Sequence, residues 1–125
     1  MFVFVNPNSC GVVTGDCVVR SLSLATGHGW REVYASLCVQ GYAMCDWGNS
    51  NPVWGSWLTD RGWTMMPAEE MQTVEEFAAR YPRGIYIVCT GSHVVTIIDG
   101  DWYDSWDSRN AKISYYFLKP DQRRA

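Results

Sequence analysis

The stretch from His93 to Ser105 (HVVTII, then Asp99-Gly100, then DWYDS) most constrains how this chain can fold. Two runs of strand-forming residues flank an Asp-Gly pair, and that pair tolerates the positive φ angles of a two-residue hairpin turn. Such a hairpin carries its own register. A two-residue loop pairs Ile98 with Asp101, and therefore Val95 with Asp104 and His93 with Trp106. Side chains alternate along a strand, so His93, Val95, Asp104 and Trp106 share one face, and Trp102 joins them. Asp104 becomes a diagonal neighbour of His93, with backbones about 7–8 Å apart. A three-residue loop would instead set His93 opposite Asp107 and displace Asp104. The Asp-Gly pair favours the shorter loop and Asp104, with Asp107 as the alternative.

The neighbouring segments extend the pattern. Ile85–Thr90 (IYIVCT) reads as a buried strand and Ile113–Leu118 (ISYYFL) as the last one. Together they predict an antiparallel meander of three or four strands. Residues 2–5 read as a short edge strand. Helices fill the first half. One starts at Asp16, an N-cap type whose carboxylate can accept first-turn N–H groups, buries Val18, Leu22 and Ala25, and stops at Gly27. A second spans about Gly29 to Val39, with Trp30, Val33, Tyr34, Leu37 and Cys38 as an apolar stripe. A third covers Pro52–Arg61. Thr73-Val-Glu-Glu76 is a capping box that opens a fourth. Helices followed by strands indicate an α+β fold. At 125 residues and 47% hydrophobic content, the chain suits one domain over 1–125 with a real core.

Five cysteines are present, and one stands apart. Cys38 falls on the helical stripe and Cys89 inside a strand, so both read as core thiols. Cys10 and Cys45 sit in loops. Cys17 follows Asp16 as the first residue of a helix, where unpaired N–H groups and the positive end of the dipole favour a thiolate. A nucleophilic cysteine needs a histidine, and the histidine an orienting group. His93 and Asp104 supply them. His28 lies between two glycines at the far end of the first helix, about 15 Å from Cys17 at 1.5 Å per residue, and reads as an exposed loop residue. The backbone N–H of Cys17 is one oxyanion donor. Asn8, in the preceding loop, is the candidate for a second.

Several classes are disfavoured. A net charge of −3 with no basic stripe argues against nucleic acid as a partner, since the only basic cluster is Arg123-Arg124. No run approaches the roughly 18 apolar residues of a membrane span. Met1–Val5 lacks the basic region of a signal peptide, so the expected location is cytoplasmic, where thiols stay reduced. No Cys-x-x-Cys pair occurs and the two histidines are far apart, so no metal site or cofactor is expected. Seven Trp and seven Tyr are enough to line a groove as well as fill a core.

Three stretches, GDCVVRSLSLATG, GWREVYASLCVQGY and GSHVVTIIDGDWYDSWDS, together resemble the papain-like cysteine peptidase fold, and most of all small bacterial and phage proteins of the C39-like peptidase group. The resemblance implies N-terminal helices packed on a C-terminal antiparallel sheet. It implies Cys17 as nucleophile, His93 as base and Asp104 as orienter, acting on a peptide or isopeptide bond of a peptide or protein substrate. Where that family carries an oxyanion glutamine this chain has Gly11. The same three residues would also serve an acyltransferase, and a peptidase-like scaffold can serve as a non-catalytic binding or inhibitor protein.

Overall fold

The computed structural model describes residues 1–70 and 72–122. In chain order the elements are β1 (Phe2–Phe4), α1 (Cys17–Thr26), α2 (Trp30–Met44), α3 (Asn51–Asp60), β2 (Thr64–Pro67), α4 (Val74–Arg80), β3 (Ile85–Cys89), β4 (Val94–Ile98), β5 (Asp101–Asp104) and β6 (Tyr115–Leu118). The fold is α+β, as expected. The sheet is larger than expected and is not purely antiparallel. It has six strands in the order β1-β5-β4-β3-β6-β2, and β1 runs parallel to β5. Its two outer strands are β1, which matches the edge strand expected at 2–5, and β2, which was not expected. β1 is three residues long and meets its partner only after most of the chain has folded back. β2 (TMMP) has no β-branched alternation to announce it. The basic pair Arg123-Arg124 lies outside the described residues.

The hairpin has the two-residue turn. Ile98 pairs with Asp101, Ile97 with Trp102 and Thr96 with Tyr103. Asp99 and Gly100 both have positive φ, at 49° and 82°, the signature of a type I′ turn. The Asp99 carboxylate accepts the Gly84 N–H at 2.8 Å, which ties the turn to the start of β3.

The sheet divides the core in two. On one face α1, α2 and α3 pack Leu22, Val33, Leu37, Trp54, Trp57 and Leu58 against Ile87, Cys89, Val94 and Phe117. On the other, α4 sets Val74, Phe77 and Tyr81 against Tyr86, Val88, Val95, Ile97 and Tyr116. β3 is covered on both sides, hence its unbroken apolar run.

α1 is buried along most of its length, from Val18 to Ser23 and at Ala25. Two hydrogen bonds fix it to β4: Ser21 Oγ donates to Val94 O at 2.9 Å, and Thr96 Oγ1 donates to Ser21 O at 2.7 Å. Gly27 ends the helix in the left-handed conformation. α4 begins with the expected capping box, Glu76 N–H on Thr73 Oγ1 and Thr73 N–H on Glu76 Oε1. Among the described residues no helix is long and apolar enough to cross a membrane.

α2 departs from the sequence expectation. It continues to Met44, and only the centre of its stripe, Val33 and Leu37, is buried. Cys38 is exposed rather than a core thiol, and Tyr34 is 52% exposed. The stripe is wider than the contact with α1 and α3, so its flank faces a cleft. At the end of α2, Cys45 takes a positive φ and the chain turns back onto the helix. A Cβ on Gly41 would lie 2.6 Å from Asp46 O and 2.9 Å from Gly48 N. In an ordinary helix interior Gly→Ala stabilises by roughly 1 kcal/mol. Here Gly41→Ala should destabilise by about 1–3 kcal/mol, the cost of an overpacked contact. Gly55→Ala, whose Cβ would meet nothing closer than Phe117 at 3.8 Å, should follow the ordinary rule and gain stability. Urea midpoints of the two variants should move in opposite directions.

Candidate active site

Cys17 is the first residue of α1, half-buried and packed against the α1 side of the core. Asp16 holds the N-cap position, but its carboxylate does not cap the helix, contrary to the sequence expectation. Instead Oδ1 accepts Arg20 Nη1 at 2.6 Å and Oδ2 accepts Trp30 Nε1 at 2.8 Å. A side chain that satisfies two stronger donors is not available to the first-turn amides. The N–H groups beside the Cys17 sulfur therefore keep their positive field without an adjacent carboxylate to cancel it.

His93 immediately precedes β4 and Asp104 ends β5, so the hairpin register brings them together. His93 Nε2 contacts Asp104 Oδ2 at 2.6 Å, with side-chain exposures of 13% and 1%. Nδ1 is the ring nitrogen not engaged with Asp104, and the mutual electrostatic influence of Cys17 and His93 marks the two side chains as neighbours in the cleft. The indole of Trp106 lies over the imidazole, with centroids 4.8 Å apart. Its place on the His93 face was legible from register. Trp102 was expected on the same face. It packs instead with Ile97 and Phe77 beneath the sheet, and its Nε1 donates to Asp107. The β4–β5 ladder stops at Thr96 and Tyr103, while Val94 and Val95 stay paired to β3 and Asp104 to Phe4 of β1; beyond that last cross-strand pair Asp104 is bonded to Arg20 on α1 and to His93.

Asp104 is the junction of a buried network. Oδ1 accepts Arg20 Nη2 at 2.9 Å and the Ser105 N–H at 2.8 Å. Oδ2 accepts Ser108 Oγ at 2.7 Å as well as His93. The chain of partners runs Trp30, Asp16, Arg20, Asp104, His93, Cys17, with charges alternating in sign. Burial opposes the charged forms of Cys17, His93 and Asp104, and the contacts outweigh it. The Cys17 thiol lies below its ordinary range because burial is overcome by hydrogen bonds from His93 and the backbone of Val94 and by the positive charges of His93 and Arg20. Burial likewise disfavours the imidazolium. Its bonds to Asp104 and Cys17, with their negative charges, still hold it up to about 9. The Asp104 carboxyl sits below its usual range, since bonds from His93 and Ser108 more than offset burial. The site thus favours the thiolate of Cys17 and the imidazolium of His93 over their neutral forms.

Other sequence candidates lie elsewhere. Asp107 binds Trp102 and Arg109, which pull its carboxyl down to about 2, and makes no contact with His93. Asn8 Oδ1 accepts the N–H groups of Cys10 and Val12 and shapes its own loop, and Asn8 does not line the cleft at Cys17. His28 is exposed and pairs with Glu32. All five cysteines are free. Cys89 is buried, as expected, and burial pushes its thiol far up. Among the described residues no group of three or more His, Cys, Asp or Glu side chains could hold a metal ion.

Sequence reasoning missed Arg20, Ser108 and Trp30. Arg20 had a usable signal: one charge inside the apolar run VVRSLSLA, four residues from Asp16. Ser108 and Trp30 had none. A cleft of about 730 Å³ opens over Cys17 and His93, bounded by α2, the 47–51 turn and the 89–94 segment.

At pH 6 an ordinary thiol is almost wholly protonated. Iodoacetamide should therefore label Cys17 faster than the other four cysteines. His93→Ala should slow it about tenfold for each unit by which the thiol pKa rises. Arg20→Leu strands two buried carboxylates and should cost about 3–5 kcal/mol in urea denaturation. Comparison with family models, curated proteins and solved structures finds no match.

Proposed function

We propose that this chain is a thiol hydrolase on a papain-like scaffold, cleaving a peptide or isopeptide-type bond through an acyl-enzyme. One observation carries the proposal: a histidine is held between a buried carboxylate and a thiol at a helix N-terminus, inside an open cleft. The order along the chain, nucleophile helix first and then a sheet with His and Asp, supports the papain-like assignment. A structural cysteine would gain nothing from an activating histidine.

The Cys17 thiolate adds to the scissile carbonyl carbon, and the carbonyl oxygen becomes an oxyanion. The N–H of Cys17 and the positive end of α1 stabilise that charge. The imidazolium gives its Nδ1 proton to the leaving amine as the C–N bond breaks. Water then attacks the thioester, with neutral His93 taking its proton, and returns the free thiolate. Asp104 holds the ring in one tautomer and orientation throughout, with Arg20 and Ser108 holding Asp104 in turn.

The proton inventory sets the pH profile. Below the lowered Cys17 pKa the thiol is protonated and kcat/KM falls. Above about 9 the imidazolium is lost and kcat/KM falls again. A quenched fluorescent peptide library should give turnover with this bell shape and an acyl adduct on Cys17 after rapid acid quench. Cys17→Ala should abolish both, and His93→Ala should reduce turnover by about 10²–10⁴. No turnover and no adduct, with all five cysteines alkylated at equal slow rates, would identify a binding protein instead.

A further inference from the structure

Part of the cleft wall is aromatic, and it is built rigidly. Trp30 and Tyr34 stack at 5.3 Å with an interplanar angle of 18°. Trp30 cannot swing away, because its indole N–H is held by Asp16. Next to them the turn after α2 carries Trp47. Asp46 clamps that turn through both oxygens, accepting the Trp47 N–H at 2.7 Å and Ser50 Oγ at 2.9 Å. Gly41 and Gly48 let the turn press against the α2 backbone, where a Cβ on either would crowd backbone atoms at 2.6 Å and 3.1 Å. This tight construction holds an indole that is 80% exposed. Folding gains almost nothing from a tryptophan left that exposed, and a ligand would cover it.

Charge narrows the ligand. The lining contains no Lys, Arg or Glu. Its one acidic side chain, Asp16, is committed to Arg20 and Trp30. Apart from the Cys17–His93 pair, whose ring is committed to Asp104, the remaining polar groups are neutral Thr, Ser, Asn and Tyr side chains and glycine backbone. A charged substrate group would lose its water here without gaining a counter-ion. The volume, about 730 Å³, exceeds what the scissile bond alone requires and suits a bulky group beside it.

Resting on the proposed hydrolase chemistry, we infer that the substrate is a peptide segment with a large uncharged apolar or aromatic side chain near the scissile carbonyl, received by Trp30, Tyr34 and Trp47. Because Asp16 anchors both Trp30 and Arg20, the recognition wall and the catalytic network share one support. A substrate side chain on the wall is thereby positioned relative to Cys17.

The test uses N-acetyl dipeptidyl acyloxymethyl ketones. In these the thiolate forms a C–S bond at the methylene as the carboxylate departs with its electron pair. Each of the two residues before the ketone is varied in turn among Phe, Leu, Gly, Lys and Asp, and alkylation of Cys17 is followed by mass spectrometry. At one of the two positions Phe and Leu should react about tenfold or more faster than Gly, Lys and Asp, as burial of a large apolar side chain predicts. Tyr34→Ala and Trp47→Ala should each shrink the Phe-to-Gly ratio. Tyr42→Ala, on the same helix, 88% exposed and outside the cleft, should keep it. Equal rates across the panel, fastest reaction with Lys or Asp, or an unchanged ratio in both cleft variants would overturn the inference. With iodoacetamide still selective for Cys17, those results would leave the catalytic assignment standing. Loss of that selectivity in the unmodified chain would overturn both.

Discussion

Arg20 is the interaction on which the site depends. It is a buried guanidinium, 4% exposed, between two buried carboxylates. It gives each carboxylate a charged partner inside the fold, where an unpaired buried charge costs several kcal/mol. Arg20 lies on the helix that bears Cys17, and Asp104 lies on the strand that orients His93. The ion pair therefore spans the one interface that must be registered correctly for thiol and imidazole to meet. A fork of planar donors suits the task, since it can address one carboxylate with each terminal nitrogen.

The same network explains why Asp16 is not a cap. An acidic residue beside a nucleophilic thiol would ordinarily oppose its ionisation. By directing its charge at Arg20 and its second oxygen at Trp30, Asp16 leaves the α1 terminus positive. The five thiols differ for this reason and not for their chemistry. Cys89 is walled into the core and its ionisation is suppressed, while Cys17 has a cationic ring beside it and its ionisation is promoted.

The division of the core also serves the cleft. α1 is pinned to β4 by Ser21 and Thr96, and β4 follows directly from His93. α2 gives only the middle of its apolar stripe to the core. Its flank, with Tyr34 and Cys38, and the turn beyond it stand open at the cleft. An amphipathic pattern thus serves two purposes at once, packing and a recognition surface. That is why spacing alone assigned Cys38 to the core, where the structure leaves it exposed.

What the sequence determined by itself was local. Asp99-Gly100 set the hairpin register and so paired His93 with Asp104 over Asp107, because turn geometry and strand alternation act over a few residues. Gly27 and the Thr73 capping box set helix ends for the same reason. What only the tertiary structure decided was non-local. The parallel pairing of β1 with β5, the edge strand β2, the bridging role of Arg20 and the diversion of Asp16 from its cap all depend on partners far along the chain. So does the orientation of His93 and Asp104 beyond the last β4–β5 pair. A side chain's donors and acceptors choose among whatever partners the fold brings near, and for Asp16 those partners were a guanidinium and an indole rather than the amides next to it.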